Sequence, residues 1–425
     1  MTLITERDLE IANNGDPPAI NGAEPVKKTP YGSEPRYGAE ELKELTEALE
    51  QGTLFYAQGK KVFKLEETFA AMYGAKYGVT CSSGTTAIHA ALTALGISPS
   101  DEVIVPPITD MGTLSPILYQ GAVPVFADLT PHGYVLDTES VRAAITPRTR
   151  AVIAVQLWGN TCDMRGLRAL CDEHGIFLIE DCAQAFHATY NGTLIGTTGH
   201  VGCFSFNEFK HISCGDGGIV ITSDADLATR LRLSTDKCYN RQPDALIRQP
   251  IFLANNYRMT ELQGAVALAQ LPKLESIVER RRRWCEALTA DLSDVEGITL
   301  PTPTPGCNPS WWFYMMRVQP DILGADADGF CKALAAEGIR ATAHYIGKPI
   351  YAYPVFTDHS AFSHGSHPFE SIDYSKVHCP NAEAILETGV TLPVNQAYTD
   401  IDREEIVRGV RRVAAWFGRS RKEIY

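Results

Sequence analysis

No apolar run in the sequence approaches the roughly 20 residues that a membrane helix needs, and the N-terminal residues lack the pattern of a secretory leader. Positive charge is scarce: 38 Lys and Arg face 51 Asp and Glu, a formal net charge of −13. Nucleic acid is therefore not expected as a partner, because phosphate backbones call for a concentrated basic face. The one dense basic cluster, Arg280 to Arg283, falls in an amphipathic helical pattern and reads as a solvated face. The eleven cysteines form no CxxC pair and sit in apolar contexts such as Cys182 and Cys203, which predicts buried thiols in a reducing compartment. A cytoplasmic protein is expected. Neither GxGxxG nor GxxxxGK[ST] follows a predicted strand, which argues against a nucleotide enzyme. His359, His364 and His367 are close in sequence, but their loop offers no Cys or acid at ligand spacing, so no metal site is expected.

What the sequence does contain is organised around Gly202 to Asp224. An alternating run, Cys203 to Phe206, leads to a single lysine, Lys210, then to a turn through Gly215, Asp216, Gly217 and Gly218, and to a second strand, Ile219 to Thr222. A lysine at the end of a buried strand is costly, since desolvation disfavours its ammonium form. The functional reason to accept that cost is a depressed pKa that makes the amine a nucleophile. The structural alternative is a side chain that snorkels from its loop into water.

Asp181 weighs against that alternative. It ends the apolar run Ile176 to Ile179, a strand covered on both faces, at the carboxyl end where open α/β sheets bind ligands. A carboxylate at one strand end and a lysine past the next are the two groups that hold pyridoxal phosphate. The lysine forms the Schiff base, and the carboxylate keeps the pyridine nitrogen protonated so that the ring can act as an electron sink. A third element is the turn Ser82-Ser-Gly-Thr-Thr86, between a short strand and a helix through Leu95. Free backbone N–H groups and hydroxyls at a helix N-terminus suit an anion, although a plain N-cap has the same composition.

These motifs, with Glu180-Asp-Cys-Ala-Gln184, Ser205-Phe206 and Asn256-Tyr-Arg-Met259, occur in the order and at the spacings of a known family. From about Tyr56 onward the chain resembles the DegT, DnrJ and StrS sugar aminotransferases of pyridoxal-phosphate fold type I. The resemblance implies a mostly parallel sheet with flanking helices plus a smaller α+β C-terminal domain. It implies pyridoxal phosphate bound at Gly84, Thr85, Thr86 and Ser205, with Gln184 facing the cofactor's phenolic oxygen and Asp181 and Lys210 as the catalytic pair. It also implies an Asn256 supplied by the neighbouring subunit, hence a homodimer with shared sites. The expected reaction takes an amino group from glutamate or glutamine and delivers it to a keto-sugar, a nucleotide-linked keto-sugar or a keto-cyclitol. Relatives that remove a hydroxyl carry histidine in place of the lysine, so retaining Lys210 favours transamination over dehydration; a non-catalytic regulatory protein on the same scaffold is the other alternative.

The sequence departs from the family at Pro106-Pro-Ile-Thr-Asp-Met111, where an aromatic residue usually stacks on the cofactor ring. Asp110 cannot stack, so either another side chain, Ile108 or Met111, covers the ring or the loop differs, with Asp110 either a turn residue or a contact to substrate hydroxyls. His344 and Tyr345 lie near where such proteins admit substrate. His211, beside the lysine, is a candidate proton shuttle, but a sequence neighbour usually points elsewhere.

Strand alternating with helix from residue 77 to 222 predicts a parallel sheet with right-handed crossovers. The expected division is a tail or arm over residues 1–30, a large cofactor-binding domain over 31–285 and the smaller domain over 286–425. A helix from Leu274 to Leu292 is expected to join the two domains.

Overall fold

A computed structural model describes residues 17–241, 249–363, 365 and 368–422. His364 and His367, residues 1–16 of the expected tail and residues 242–248 of the polar loop lie outside the described residues. Its centre is a seven-stranded sheet of β1 (Tyr77–Cys81), β2 (Glu102–Val105), β3 (Val123–Phe126), β4 (Thr149–Val155), β5 (Phe177–Asp181), β6 (Val201–Ser205) and β7 (Gly218–Thr222), ordered β1-β7-β6-β5-β4-β2-β3. All neighbours pair in parallel except those of β7, which runs against both β1 and β6. Six strands thus point one way, the mostly parallel sheet expected. Strands covered on both faces must be apolar nearly throughout, and Ala151 to Val155 of β4 are buried without interruption.

The helices that matter for the site are α1 (Ala39–Glu50), α2 (Lys61–Tyr73), α3 (Gly84–Leu95), α4 (Met111–Tyr119), α5 (Met164–His174), α6 (Glu261–Gln270), α7 (Leu274–Leu292) and α8 (Asp400–Lys422). Stop signals in the sequence account for several boundaries: α2, α3 and α5 each end at a glycine with positive φ (Gly74, Gly96 and Gly175). α2 begins on a buried carboxylate, since Glu261 accepts the backbone N–H groups of Lys60, Lys61 and Val62.

A second, antiparallel sheet, ordered β8 (Ile298–Thr299), β9 (Phe313–Val318), β11 (Gly389–Pro393) and β10 (Thr342–Ala343), follows in the chain. α7 joins the two parts without a break. Its first half buries Leu274, Ile277 and Val278 in the cluster that contains Phe69, Phe204 and Phe206, while Trp284, Cys285, Leu288 and Leu292 pack in the cluster of β9. The division expected at residues 285 and 286 falls inside this helix.

Residues 18–30, part of the segment expected as a tail or arm, and the two that follow are bound to their own chain. The backbone N–H groups of Ala19 and Val26 donate to the buried Glu337 carboxylate at 2.8 and 2.9 Å, and Lys27 reaches Asp402 and Glu405 of α8 at 2.7 and 3.0 Å. Burial opposes ionisation of all three groups, but mutual attraction and neighbouring donors outweigh it. The two carboxyls are held below their usual range and the ammonium above its own. Depressed carboxyl pKa values supply stability that is present above the unfolded carboxylate range, near pH 4, and lost as pH falls through the folded values. The raised lysine loses its share only on strong alkalinisation. Protection factors for amide exchange over residues 18–32 are therefore expected to be high at neutral pH and to fall on acidification below about pH 4, before those of the main sheet.

Candidate active site

The carboxyl edge of the main sheet opens into a cavity of about 240 Å³. Its walls come from segments at or just past the ends of β1, β2, β4, β5 and β6, with Asp216 ahead of β7. This is the edge at which open α/β sheets take ligands.

Asp181, the last residue of β5, lies in its wall and is only 6% exposed. One carboxylate oxygen accepts the Thr113 hydroxyl at 2.8 Å and the other the Ala183 N–H at 3.1 Å. Burial raises its pKa; the Thr113 and Ala183 hydrogen bonds and the charge of Lys210 pull the other way without cancelling the effect. Among the described residues no Lys or Arg forms an ion pair with it. A buried carboxylate with hydrogen bonds and no cationic partner is a receptor for a cation.

Lys210 lines the same cavity, held at the end of the turn after β6 by its own N–H on the Asn207 carbonyl and by the Arg36 guanidinium on its carbonyl at 2.9 Å. Burial lowers its pKa, opposed by the charges of Asp181 and Asp110. That direction enlarges the neutral, nucleophilic fraction of the amine.

The third wall is the start of α3. Ser83 caps it by accepting the Thr86 N–H at 3.1 Å, and the amides of Gly84 and Thr85 have no acceptor within the helix. The helix start touches β6: a Cβ at Gly84 would lie 2.6 Å from the Ser205 Cβ, so only glycine allows this approach. Gly84, Thr85 and Ser205 all line the cavity. Thr86 does not; its hydroxyl accepts the Ser83 N–H at 2.9 Å and closes the capping box.

Gln184 also reaches the cavity. Its amide oxygen accepts the Trp158 N–H at 3.0 Å and its NH₂ donates to the Tyr345 hydroxyl at 3.2 Å. Both partners have left-handed backbones, with φ of 52° at Trp158 and 41° at Tyr345, a strained conformation for such bulky residues. Tyr345 thus touches the site from the second sheet's side. His344 does not: it bonds the Leu386 carbonyl at 2.9 Å and Asp328 at 3.1 Å, away from the cavity.

Asp110 is an N-cap that accepts the Gly112 N–H at 2.7 Å, the turn role expected of it, and its exposed side chain lies on the cavity wall. The expected ring covers are not there. Ile108 is buried in the core, Met111 is half-buried against it, and the apolar part of the lining comes from Ile88 and Val155. His211 is buried, directs one ring nitrogen to the Ser310 carbonyl at 3.0 Å and is pushed well below the usual histidine pKa by burial and then by Arg281. It faces away from the amine it adjoins. Asn256 is exposed and outside the cavity of its own chain. Sequence reasoning missed Thr113 and Val155, which reach the site from elements of their own with no local pattern to mark them, and Ile88, Asn207 and Asp216, which share an element with Gly84 or Lys210 but were given no role.

The sequence profile of the DegT/DnrJ/EryC1/StrS aminotransferase family matches residues 35–411. This chain belongs to that family. Among the aminotransferases it resembles, UDP-N-acetyl-3-dehydro-alpha-D-glucosamine 3-aminotransferase of Acidithiobacillus ferrooxidans is 36% identical, over 81% of this chain and 85% of the relative. GDP-perosamine synthase of Caulobacter vibrioides is 34% identical, over 84% of this chain and 90% of the relative. The solved structure of S. venezuelae DesV in complex with a ketimine intermediate has a TM-score of 0.78 at 32% identity, covering 91% of this chain and 99% of that one. As a DegT/DnrJ/EryC1/StrS aminotransferase, the protein is a pyridoxal-phosphate-dependent enzyme with the fold expected of it. The residues present fit that cofactor. A buried carboxylate without a cation suits a protonated ring nitrogen, the Gly84 and Thr85 amides left without a helical acceptor beside Ser205 suit a phosphate, and Lys210 offers an amine to the same space.

Proposed function

We propose that the enzyme moves an amino group from glutamate or glutamine to a carbohydrate ketone (a keto-sugar, a nucleotide-linked keto-sugar or a keto-cyclitol) in two alternating half-reactions. The observation that carries this reading is that Lys210, Asp181 and the start of α3 all line one cavity at the carboxyl edge of the sheet. Pyridoxal phosphate, when bound, supplies an electron sink for the pair released when a proton leaves the carbon bearing nitrogen. The chain's residues do the rest. Gly84, Thr85 and Ser205 hold the phosphate; Asp181 keeps the ring nitrogen protonated; Gln184, fixed between Trp158 and Tyr345, orients the ring. Lys210 takes the proton from the donor's α carbon at its Nζ and gives it back during transfer, as a general base and acid whose lowered proton affinity suits it to both. Asp110 and Tyr345 are assigned to the substrate, and His344 is set aside because its ring is committed to Asp328 and Leu386.

Support for a homodimer comes from the exposed Asn256 and from Ile251 and Leu253 near it, which are 76% and 94% exposed, a poor arrangement for a monomer in water. In the dimer Asn256 completes the phosphate site of the neighbouring subunit. The nucleotide-sugar relatives support the acceptor class.

The two half-reactions are tested by adding glutamate to the pyridoxal-phosphate-loaded protein with no acceptor. One equivalent of 2-oxoglutarate per site is expected, and the protein freed of donor should then aminate a keto-sugar once per site. Failure to release any keto acid from glutamate or glutamine until acceptor is added would overturn the alternating scheme.

A further inference from the structure

We propose that Trp312 is a positioning residue for the reacting amine: its indole face is the resting place of the unattached Lys210 side chain, and its N–H fixes the backbone from which that side chain springs. This rests on the assignment of Lys210 made above. The Lys210 Nζ lies 4.1 Å from the centre of the Trp312 ring. The same indole donates its N–H to the carbonyl of Phe209, the residue before the lysine, at 2.8 Å. One side chain thus holds both ends of the lysine, its charged head by a cation–π contact and its root by a hydrogen bond.

The ring is itself firmly held. Trp312 stands immediately before β9, so the indole reaches from the second sheet across to the turn after β6. Its backbone N–H donates to the Trp158 carbonyl at 2.9 Å, and its carbonyl accepts from the buried Arg281 guanidinium at 3.4 Å. Trp312 is not among the residues that line the cavity, whereas Lys210 is. An amine resting on the indole is therefore at the cavity's margin, close to the reacting centre without filling the space a donor needs. When the freed amine has taken a proton it becomes an ammonium in a site whose burial disfavours charge. The electron-rich face of the indole offsets part of that penalty, so Trp312 raises the strength of Lys210 as a base.

The test uses full-length protein charged with pyridoxamine phosphate, which leaves Lys210 unattached. Acetylation by acetic anhydride is followed over a pH series, and peptide mass spectrometry reads the modification of residue 210 alone. The inflection reports the proton affinity of Lys210. Trp312→Leu is expected to lower it by about 0.5–1 pH unit, and Trp312→Phe by less than half as much, because phenylalanine keeps a weaker π face. Biosynthetic replacement of tryptophan by polyfluorinated tryptophan changes the ring's shape little but drains its face of electron density. It should lower the inflection progressively with fluorine number, and it decides the matter even if the leucine variant does not fold. An inflection that does not move across the fluorinated series would overturn the proposal. Borohydride tagging of a lysine other than 210 in the wild-type protein would instead overturn the assignment of Lys210 itself, so the two failures are distinguishable.

Discussion

Lys210→Ala is expected to abolish the yellow colour of the pyridoxal-phosphate-loaded protein and to reduce turnover by ~10⁴-fold or more. In the proposed scheme two separate contributions would be lost: the covalent tether to the cofactor and the base that moves the α proton. Because the side chain lines the cavity and is only half-buried, its removal leaves little void, so the variant should fold and bind cofactor non-covalently. Lys210→Arg sharpens the test. Arginine keeps a cation on the Trp312 face, yet its pKa leaves no neutral fraction to act as nucleophile or base. It should be as inactive as the alanine variant, measured by keto acid release from glutamate. Normal turnover by either variant would refute the role given to Lys210.

The second large effect is at Asp181. Asp181→Asn preserves the side chain's shape, and its amide oxygen can still accept from Thr113 or Ala183. What it removes is the negative charge that a protonated ring nitrogen requires. A loss in kcat of roughly 10²–10³-fold is expected, the size found when one preorganised electrostatic partner is removed from a water-poor site. Burial pushes the carboxyl's pKa upward, and binding a cationic ring should bring it down. Reconstituting Asp181→Asn with N-methylated pyridoxal phosphate, whose ring nitrogen is cationic without a proton, should recover much of the loss. If the methylated cofactor gave no recovery in a variant that binds it normally, Asp181 would have some other task.

Several of the residues that line this cavity could be singled out from the sequence, for a physical reason. A strand buried on both faces is a contiguous apolar run, so its carboxyl end is easily located, and a charged residue at that end, Asp181, or in the turn just past it, Lys210, stands out against its surroundings. The start of α3 is similarly local, since strand, small polar turn and helix follow within ten residues of sequence. What remained hidden depends on contacts between distant elements. The Thr113 hydroxyl meets Asp181 from 68 positions away, and the Trp312 indole meets the Phe209 carbonyl from 103. Two local readings failed for a different reason: the same polar side chain can serve two geometries. Thr86 closes a capping box instead of facing the cavity, and His344 turns to Asp328 while its neighbour Tyr345 turns to Gln184. In the segment up to residue 30, nothing in a polar composition shows that Lys27 will be buried between two acids.

The central claim is that the amine of Lys210 is the one that bonds to the cofactor. Reduction of the pyridoxal-phosphate-loaded, full-length protein with sodium borohydride, followed by proteolysis and peptide mass spectrometry, tests it directly. The pyridoxyl mass is expected on the peptide carrying residue 210 and on no other. A stoichiometric tag on any other lysine, with residue 210 unmodified, would contradict it.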